Sequence, residues 1–345
     1  MAHLLIAGAL LLSSSIMASA QISDTRVIGC ELPIIRTGLR PTPEAGPTEV
    51  KVSLVVSDFL GVNDVDQQLD LDIYALFQWT DPRLAANAGC RFGRTEVWFP
   101  RIALLNSSNL RALNTNALNQ VSVGEGGVVT YRQRFTGEIS SYHNLSRFPF
   151  DQHEFKVEFA ALEADVQELQ FIADSENTWI AETLNIEGWF VHGVEIMSGN
   201  RTFRDTGEIR SAISLSIFAD RNPGYFLYRV MLLLSFVVCM SWAIFWIPPS
   251  RFEFQIGLGA TSMLTAIAFT LSIASDLPKL GYLTIMDKSL IWAVTLIFLT
   301  IVEALIAGLL VLRERENAAI RLDQVSRFVF PALLIGGWYF IIQTT

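Results

Sequence analysis

One apolar stretch of the chain, FQIGLGATSMLTAIAFTLSIASDLPK at residues 254–279, carries small and hydroxylated side chains at the spacing of a single helical face. Residues three and four apart share a face of a helix. With the residue that precedes the stretch, this face comprises Glu253, Gly257, Thr261, Leu264, Ala268, Leu271, Ser272 and Ser275. Such a face has two uses in a membrane, because small and hydroxylated residues also line contacts between helices.

The two ends of this face favour a water-filled path over helix packing alone. It begins at Glu253 and ends at Ser275 beside Asp276, so acidic residues stand at both mouths. Hydroxyl groups replace part of an ion's hydration shell, and a ring of carboxylates favours cations. Leu264, the bulky residue in the middle, would form an apolar constriction that closes the path by dewetting. Glu253 taken alone has a second explanation, since a carboxylate is favoured at a helix N-terminus.

A single helix cannot enclose water, so several subunits must each contribute one helix around a shared axis. Four apolar runs in the chain approach or exceed the length needed to cross a bilayer. They occupy residues 225–247, 254–276, 286–312 and 326–342, within a predicted membrane domain over 223–345. The connections after the first and third runs carry arginine, including Arg251, Arg313 and Arg321, and the positive-inside rule places them in the cytoplasm. The preceding domain, the 277–285 loop and the C-terminus are then outside.

The pattern of residues 21–222 predicts an exported β-sandwich. Residues 1–20 end in Ala18-Ser19-Ala20 and fit a secretory signal cleaved before Gln21, although the missing positive charge leaves an uncleaved anchor open. Short runs of alternating polarity are typical of half-buried strands, and they lie at 51–59, 69–79, 127–139, 153–162, 168–173, 189–197 and 211–219. The predicted fold is an all-β extracellular sandwich followed by a four-helix transmembrane bundle, assembled as a ring of identical subunits.

Charge and cysteine usage exclude several classes of function. Residues 21–222 hold 27 acidic and 17 basic residues, in a chain of net charge −9, which disfavours nucleic acid as a partner. The sequence has no His/Cys cluster with metal-ligand spacing, no nucleophile elbow and no phosphate loop, so we expect neither an enzyme nor a cofactor. Cys30 and Cys90 both lie in the exported region, where they form a disulfide or remain two free thiols.

Several short motifs, taken together in their order, resemble those of one membrane-protein family. RFPFDQHEF (147–155), VWFPRI (97–102), DRNPGYFLYR (220–229), DLPKLGY (276–282) and SRFVFP (326–331) resemble segments of the pentameric ligand-gated ion channels, the Cys-loop receptor superfamily. The resemblance covers nearly all of the mature chain. Within the family it is to the bacterial members, because Ser141 and Phe155 replace the two cysteines of animal members and the long cytoplasmic insert is absent. Leu233 stands where members usually carry a proline.

The resemblance implies a homopentamer in which an extracellular signal opens the central path. The gating residues that it implies, where the sandwich meets the membrane, are Asn63, Asp64, Asp151, Arg221, Pro278 and Lys279. Asp151 and Arg221 are expected to form an ion pair, and the turn 62–64 to press on Pro278 and Lys279. An agonist is expected between adjacent subunits, near Tyr74, Asn106, Tyr131, Leu162 and Phe203. The few aromatic residues at these positions disfavour a quaternary ammonium ligand.

We therefore predict a cation-selective channel, gated by a small extracellular agonist or by protons and surrounded by membrane lipids. The resemblance to bacterial members implies that the protein lies in the inner membrane of a bacterium. Its N-terminal domain and its C-terminus are then outside the cytoplasm. An anion channel of the same family is one alternative, and it would favour a basic or neutral residue in place of Glu253. A membrane-anchored sensor or binding protein is another, and it would have no need of the polar face on the second span.

Overall fold

The computed structural model describes residues 30–31, 33–34, 37–113, 119–181, 188–204, 206–273 and 279–344. The predicted signal segment 1–20, as well as Ser275, Asp276 and Pro278, lies outside these residues. In the described part, the chain forms a two-sheet β-sandwich followed by four long helices. This architecture confirms the predicted fold class of an all-β domain joined to a helical bundle.

Twelve strands make up the two sheets within the described residues. They are β1 (Thr48–Asn63), β2 (Gln68–Thr80), β3 (Arg91–Gly93), β4 (Ile102–Leu104), β5 (Ser107–Leu113), β6 (Gln120–Val123), β7 (Val128–Ser140), β8 (Gln152–Ala161), β9 (Leu169–Ala173), β10 (Trp179–Ile180), β11 (Trp189–Thr202) and β12 (Ile209–Arg221). One sheet has the order β10-β1-β2-β7-β6-β3, with β5 paired to β7 and β9 paired to β1. The other has the order β11-β12-β8-β4.

The alternating polarity of the long strands follows from burial of one face of each sheet. Val50, Val52 and Leu54 of β1 are fully buried, and so are Phe155 and Phe159 of β8 in the other sheet. Because successive side chains of a strand point to opposite faces, the polar residues between them face outward. A slip by one residue would expose every apolar side chain, so the core also fixes the register of the strands.

A disulfide between Cys30 and Cys90 ties the N-terminal segment to the sandwich. It decides between the two states that the sequence left open. The Asn87 side-chain amide adds a hydrogen bond to the Glu31 carbonyl, at 2.8 Å. A crosslink between residues 60 positions apart restricts the unfolded chain and so stabilises the folded domain.

Four helical segments in the described residues are long and apolar enough to cross a membrane. The first spans Phe226–Trp246, begins with π-helical turns at Phe226–Met231 and contains α1 (Leu232–Trp242). The others are α2 (Phe252–Ile273), α3 (Ile285–Leu312) and α4 (Glu316–Gln343).

The fourth helix differs from the prediction, because it begins at Glu316 rather than at residue 326. Most of the segment that we expected to be a loop, residues 316–325, therefore forms its first turns, and only residues 313–315 connect α3 to α4. Asp323 in this segment is 2% exposed and faces Glu303 of α3, while the Arg327 guanidinium donates to the Phe245 carbonyl at 2.8 and 3.0 Å. One side of these turns is thus packed against the bundle, which outweighs their polar composition.

The turn before β7 depends on glycine at two adjacent positions, and this gives a testable difference. Gly126 and Gly127 have φ angles of 69° and 80°. A Cβ at Gly127 would lie 2.2 Å from the Asp81 carbonyl oxygen, whereas one at Gly126 meets nothing within 4 Å. Gly126→Ala is expected to lower the free energy of unfolding by about 1–2 kcal/mol, from backbone strain. Gly127→Ala should lower it by more, as measured by thermal denaturation; equal losses would contradict the close approach.

Candidate functional site

The predicted polar face of α2 is a side of that helix that the described chain leaves uncovered. Its exposed members are Glu253, Gly257, Thr261, Leu264, Ala268, Leu271 and Ser272. The Leu264 side chain is 70% exposed, although it lies in the middle of the helix. The buried residues of α2 are Gln255, Gly259, Ser262, Ala266 and Ile273. A single chain therefore leaves the predicted face for water, lipid or another subunit.

Two exposed hydroxyl groups of α2, those of Thr261 and Thr265, donate to the helix backbone. Thr261 Oγ1 donates to the Gly257 carbonyl and Thr265 Oγ1 donates to the Thr261 carbonyl, both at 2.9 Å. A hydroxyl that donates in this way keeps its oxygen lone pairs available as acceptors. The exposed face therefore offers acceptor oxygens, which suit a cation better than an anion.

The opposite face of α2 is held by close contacts with the neighbouring helices. Gly259 lies so near α3 that a Cβ would come within 2.6 Å of the Ile301 side chain. Gln255 is fully buried and donates to the carbonyls of Ile247, at 2.9 Å, and Ile244, at 3.3 Å. These contacts set the rotation of α2 about its own axis and therefore which residues face outward.

Arg221, the last residue of β12, joins three segments where the sandwich meets the helices. Its Nε donates to Asp151 at 2.9 Å, and its two terminal nitrogens donate to the two carboxylate oxygens of Asp64 at 2.7 Å each. The expected pair of Asp151 and Arg221 is thus present, and Asp64 is a second partner. The guanidinium lies over the rings of Phe148 and Trp189, 4.7 and 4.3 Å from their centroids.

Hydrogen bonds and opposite charges keep this junction ionised despite its burial. Arg221 is 8% exposed and Asp151 is 3% exposed. Burial acts to raise the pKa of Asp151, but hydrogen bonds from His153 and Arg221 outweigh it and hold the pKa below its usual value. Burial also acts to lower the pKa of Arg221, while its bonds to Asp64 and Asp151 raise that pKa above its usual value. The link therefore persists across the physiological pH range.

The loop between β7 and β8, which ends at Asp151, also contacts the segment that leads into α3. The Ile285 backbone N–H donates to the Ser146 carbonyl at 3.0 Å. The Leu145 backbone N–H donates to the Tyr282 hydroxyl at 2.9 Å. One loop therefore touches both the Arg221 junction and the start of a membrane helix.

The other expected gating residues that the structure describes, Asn63 and Lys279, form no hydrogen bond or ion pair with Arg221. The Asn63 side chain accepts a hydrogen bond from the Asp66 N–H at 3.1 Å and so stabilises the β1–β2 turn that carries Asp64. Lys279 is exposed. Pro278 lies outside the described residues, so its contact with the turn 62–64 stays a prediction.

Two histidines that stand singly in the sequence meet beside the Arg221 junction. His143 and His153 stack with ring centroids 4.5 Å apart and planes inclined by 29°. His153 Nε2 lies 2.5 Å from Asp151 Oδ2. Burial, followed by the nearby His153, lowers the pKa of His143 to about 4. The spacing of the two residues follows neither strand nor helix periodicity, so the sequence offered no signal for this contact.

Two aromatic residues expected near an agonist already carry a guanidinium of the same chain. Arg134 lies 5.3 Å from the ring centroid of Tyr74, and Arg210 lies 4.6 Å from that of Phe203. Arg210 also donates to the Leu162 carbonyl. An ammonium ligand would have to displace these cations to stack on either ring, which further disfavours a quaternary ammonium ligand.

Tyr131 packs in the core, and the Asn106 side chain forms hydrogen bonds with the backbone of β8. Tyr131 is 2% exposed and its ring centroid lies 4.7 Å from that of Phe99, so it is a core residue, in contrast to the expected ligand contact. The Asn106 side chain donates to the Lys156 carbonyl at 2.6 Å and accepts from the Glu158 N–H at 3.1 Å. These bonds tie the segment before β5 to β8 of the other sheet.

Comparison with known proteins covers both halves of the chain. A sequence model of the neurotransmitter-gated ion-channel ligand binding domain matches residues 36–222. The chain is 21% identical to a proton-gated ion channel of Gloeobacter violaceus, over 86% of this chain and 83% of that protein. It is 24% identical to a gamma-aminobutyric acid receptor subunit beta-like of Drosophila melanogaster and 25% identical to subunit gamma-3 of Homo sapiens, over 77% of this chain in each case. The matches span 57% and 58% of those two subunits, which is less than two thirds of their length.

Proposed function

Because the chain belongs to the pentameric ligand-gated ion channels of the Cys-loop superfamily, we propose that it forms a homopentameric channel that conducts cations and opens in response to an extracellular agonist or to protons. The observation that carries the proposal is the uncovered face of α2, with Glu253 at one end and Leu264 in the middle. One such face from each subunit, arranged around an axis, would line a water-filled path with hydroxyl oxygens. The short connection between α3 and α4 supports placement in a bacterial inner membrane, with the sandwich outside.

The position of Glu253 supports selection of cations. It is exposed in the first turn of α2, at the cytoplasmic end expected from the arginine distribution. A ring of such carboxylates raises the local concentration of cations and lowers that of anions at the mouth of a pore.

We place the gate at Leu264 and the coupling at Arg221. A stimulus that shifts the β1–β2 turn or the β7–β8 loop would act through Arg221 on the first membrane span, because that span follows β12 directly. The same loop would act on α3 through the Ser146 carbonyl. A ligand or proton can drive this change only by its difference in affinity for the closed and open arrangements.

An anion-selective channel is the second candidate. Arg251 is exposed and stands two positions before Glu253, so a cation also lies at the same mouth. The two candidates predict opposite signs of the reversal potential under a salt gradient.

The test measures the reversal potential of wild type and Glu253→Gln in planar bilayers under a potassium chloride gradient. We expect wild type to reverse close to the potassium equilibrium potential and Glu253→Gln to reverse closer to zero, because the carboxylate ring is lost. Glu316→Gln is the matched control, since Glu316 is an exposed carboxylate in the first turn of α4, away from α2. Reversal near the chloride potential would favour the anion channel, and no current with any tested stimulus would favour a membrane-anchored binding protein.

A further inference from the structure

His143 and His153 belong to an aromatic cluster at the end of the sandwich that meets the helices. The His143 ring stacks on His153 and meets the Phe155 ring edge-on, with centroids 5.1 Å apart. The His153 ring centroid lies 5.5 Å from that of Trp189, which carries the Arg221 guanidinium. The pair is therefore in direct contact with the junction that joins the sandwich to the first membrane span.

Charged and titratable groups face the pair from each element packed around it. The charges of Asp64 in the β1–β2 turn, Asp151 in the loop before β8 and Arg221 at the end of β12 interact with His143. Asp151 also accepts hydrogen bonds from Arg221, which keep it ionised. The proton between Asp151 and His153 therefore resides on His153 Nε2, which donates to the carboxylate.

The His143 ring is partly exposed, and one of its nitrogens is without a hydrogen-bond partner among the described residues. Its Nδ1 lies 3.4 Å from Ser141 Oγ, and its Nε2 is buried with no hydrogen-bond partner in the described part of the chain. A cavity of about 480 Å³ opens beside it. The cavity is lined by Tyr142, His143, Asn144, Ser146, Tyr282 and Leu283. Of these, Tyr282 and Leu283 come from the segment before α3. External water thus has a route to the imidazole.

We propose that the stacked His143–His153 pair is a proton-binding site through which external acid acts on the Arg221 junction. Positive charges on two stacked imidazoles repel each other, most strongly where solvation is poor. A proton taken up by His143 places a new cation beside Arg221. Asp64 and Asp151 are already bound to Arg221, so they become divided between two cations and the junction loosens. This inference rests on the proposed channel function for its electrical readout.

The direction of the pH dependence follows from the pKa of His143. Burial and His153 lower this pKa from 6.5 to about 4, so the described arrangement binds a proton at His143 weakly. An arrangement in which the ring is better solvated binds that proton more tightly, and falling pH favours it. The stability that neutral His143 contributes to the described arrangement is therefore fully present above pH 6.5 and declines as the pH falls toward 4.

The first test records current from the full chain in planar bilayers while the outer pH is lowered from neutral. We expect wild type to change its current with a midpoint between pH 6.5 and 4, and His143→Gln to lose that change or to shift its midpoint by about one pH unit or more. His192→Gln is the matched control, because His192 is an exposed histidine of β11 with its Nε2 2.7 Å from Asp220. It should keep the wild-type profile. A wild-type profile in His143→Gln overturns the proposal.

Thermal denaturation of the full chain in detergent, over the same pH range, separates the proton site from channel function. The midpoint temperature of wild type and His192→Gln should fall more steeply with acid than that of His143→Gln. If this difference is present but no variant conducts, the proton site stands and the proposed channel function fails. Equal slopes in wild type and His143→Gln overturn the site. His143→Phe, which keeps a ring against Phe155, replaces His143→Gln if the glutamine variant does not fold.

Discussion

Arg221→Ala is expected to abolish opening of the channel and to lower the free energy of unfolding by about 3–5 kcal/mol. The substitution leaves the buried carboxylate of Asp151 and the partly buried carboxylate of Asp64 without the cation that both now bind. It also empties the space over the rings of Phe148 and Trp189. The β1–β2 turn and the β7–β8 loop then lose their shared contact with β12, so movement of the sandwich is no longer passed to the first span.

The measurement is thermal denaturation of the detergent-solubilised chain, combined with its current in planar bilayers. Arg201→Ala is the matched control, because Arg201 pairs with Glu158 and its side chain is 50% exposed. Loss of such an exposed pair costs less than about 1 kcal/mol. Arg221→Lys separates charge from geometry, since an ammonium group cannot form paired hydrogen bonds with two carboxylates. Wild-type stability and current in Arg221→Ala would contradict the coupling role of this residue.

Leu264→Ala is expected to move the closed–open equilibrium toward the open channel, so that a weaker stimulus gives the same current. Leu264 is 70% exposed in the middle of the uncovered face of α2, where one copy from each subunit would meet in the closed state. Truncation to alanine removes roughly 2 kcal/mol of apolar burial per subunit from that closed ring. Water then enters the constriction more readily. The roughly 2 kcal/mol from a single subunit already corresponds to more than a tenfold change in an equilibrium constant. We therefore expect the stimulus that gives half-maximal current to be at least about tenfold lower than in wild type.

The dose–response curve of the current, for whichever stimulus opens wild type, checks this expectation. Leu258→Ala is the control on the same helix, because Leu258 packs against the apolar core of the helical bundle. That variant should lower the thermal stability and leave the stimulus threshold near its wild-type value. An unchanged threshold in Leu264→Ala would remove Leu264 as the gate.

Local signals made the long elements predictable. The strands β1, β2, β7, β8, β11 and β12 alternate in polarity over most of their length, and the membrane helices are continuous apolar runs. Five strands, β3, β4, β5, β6 and β10, were not predicted. Of these, β3, β4 and β10 have only two or three residues, too few to carry a measurable period. The start of α4 was missed for another reason: burial of Asp323 against α3 holds a polar segment in a helix.

The candidate site was predictable only in part. The polar face of α2 needed nothing beyond helical spacing along one segment. The pairing of Asp151 with Arg221 was implied by the family resemblance, while the second carboxylate on Arg221, from Asp64, was not. Tyr131 was expected near a ligand, but it lies in the core. A tyrosine in a strand is compatible with either face of the sheet, and only the packing of the two sheets shows which face is buried.

By itself, the sequence determined the division into an exported sandwich and four membrane helices, and the polar face of the second of them. Periodicity, length and charge distribution are properties of contiguous residues, so they need no folded partner. Only the tertiary structure decided that Arg221 binds two carboxylates, that His143 stacks on His153, and that arginines of the chain cover Tyr74 and Phe203. These contacts join segments distant in the chain, and the burial that sets their charge states comes from all the elements packed around them.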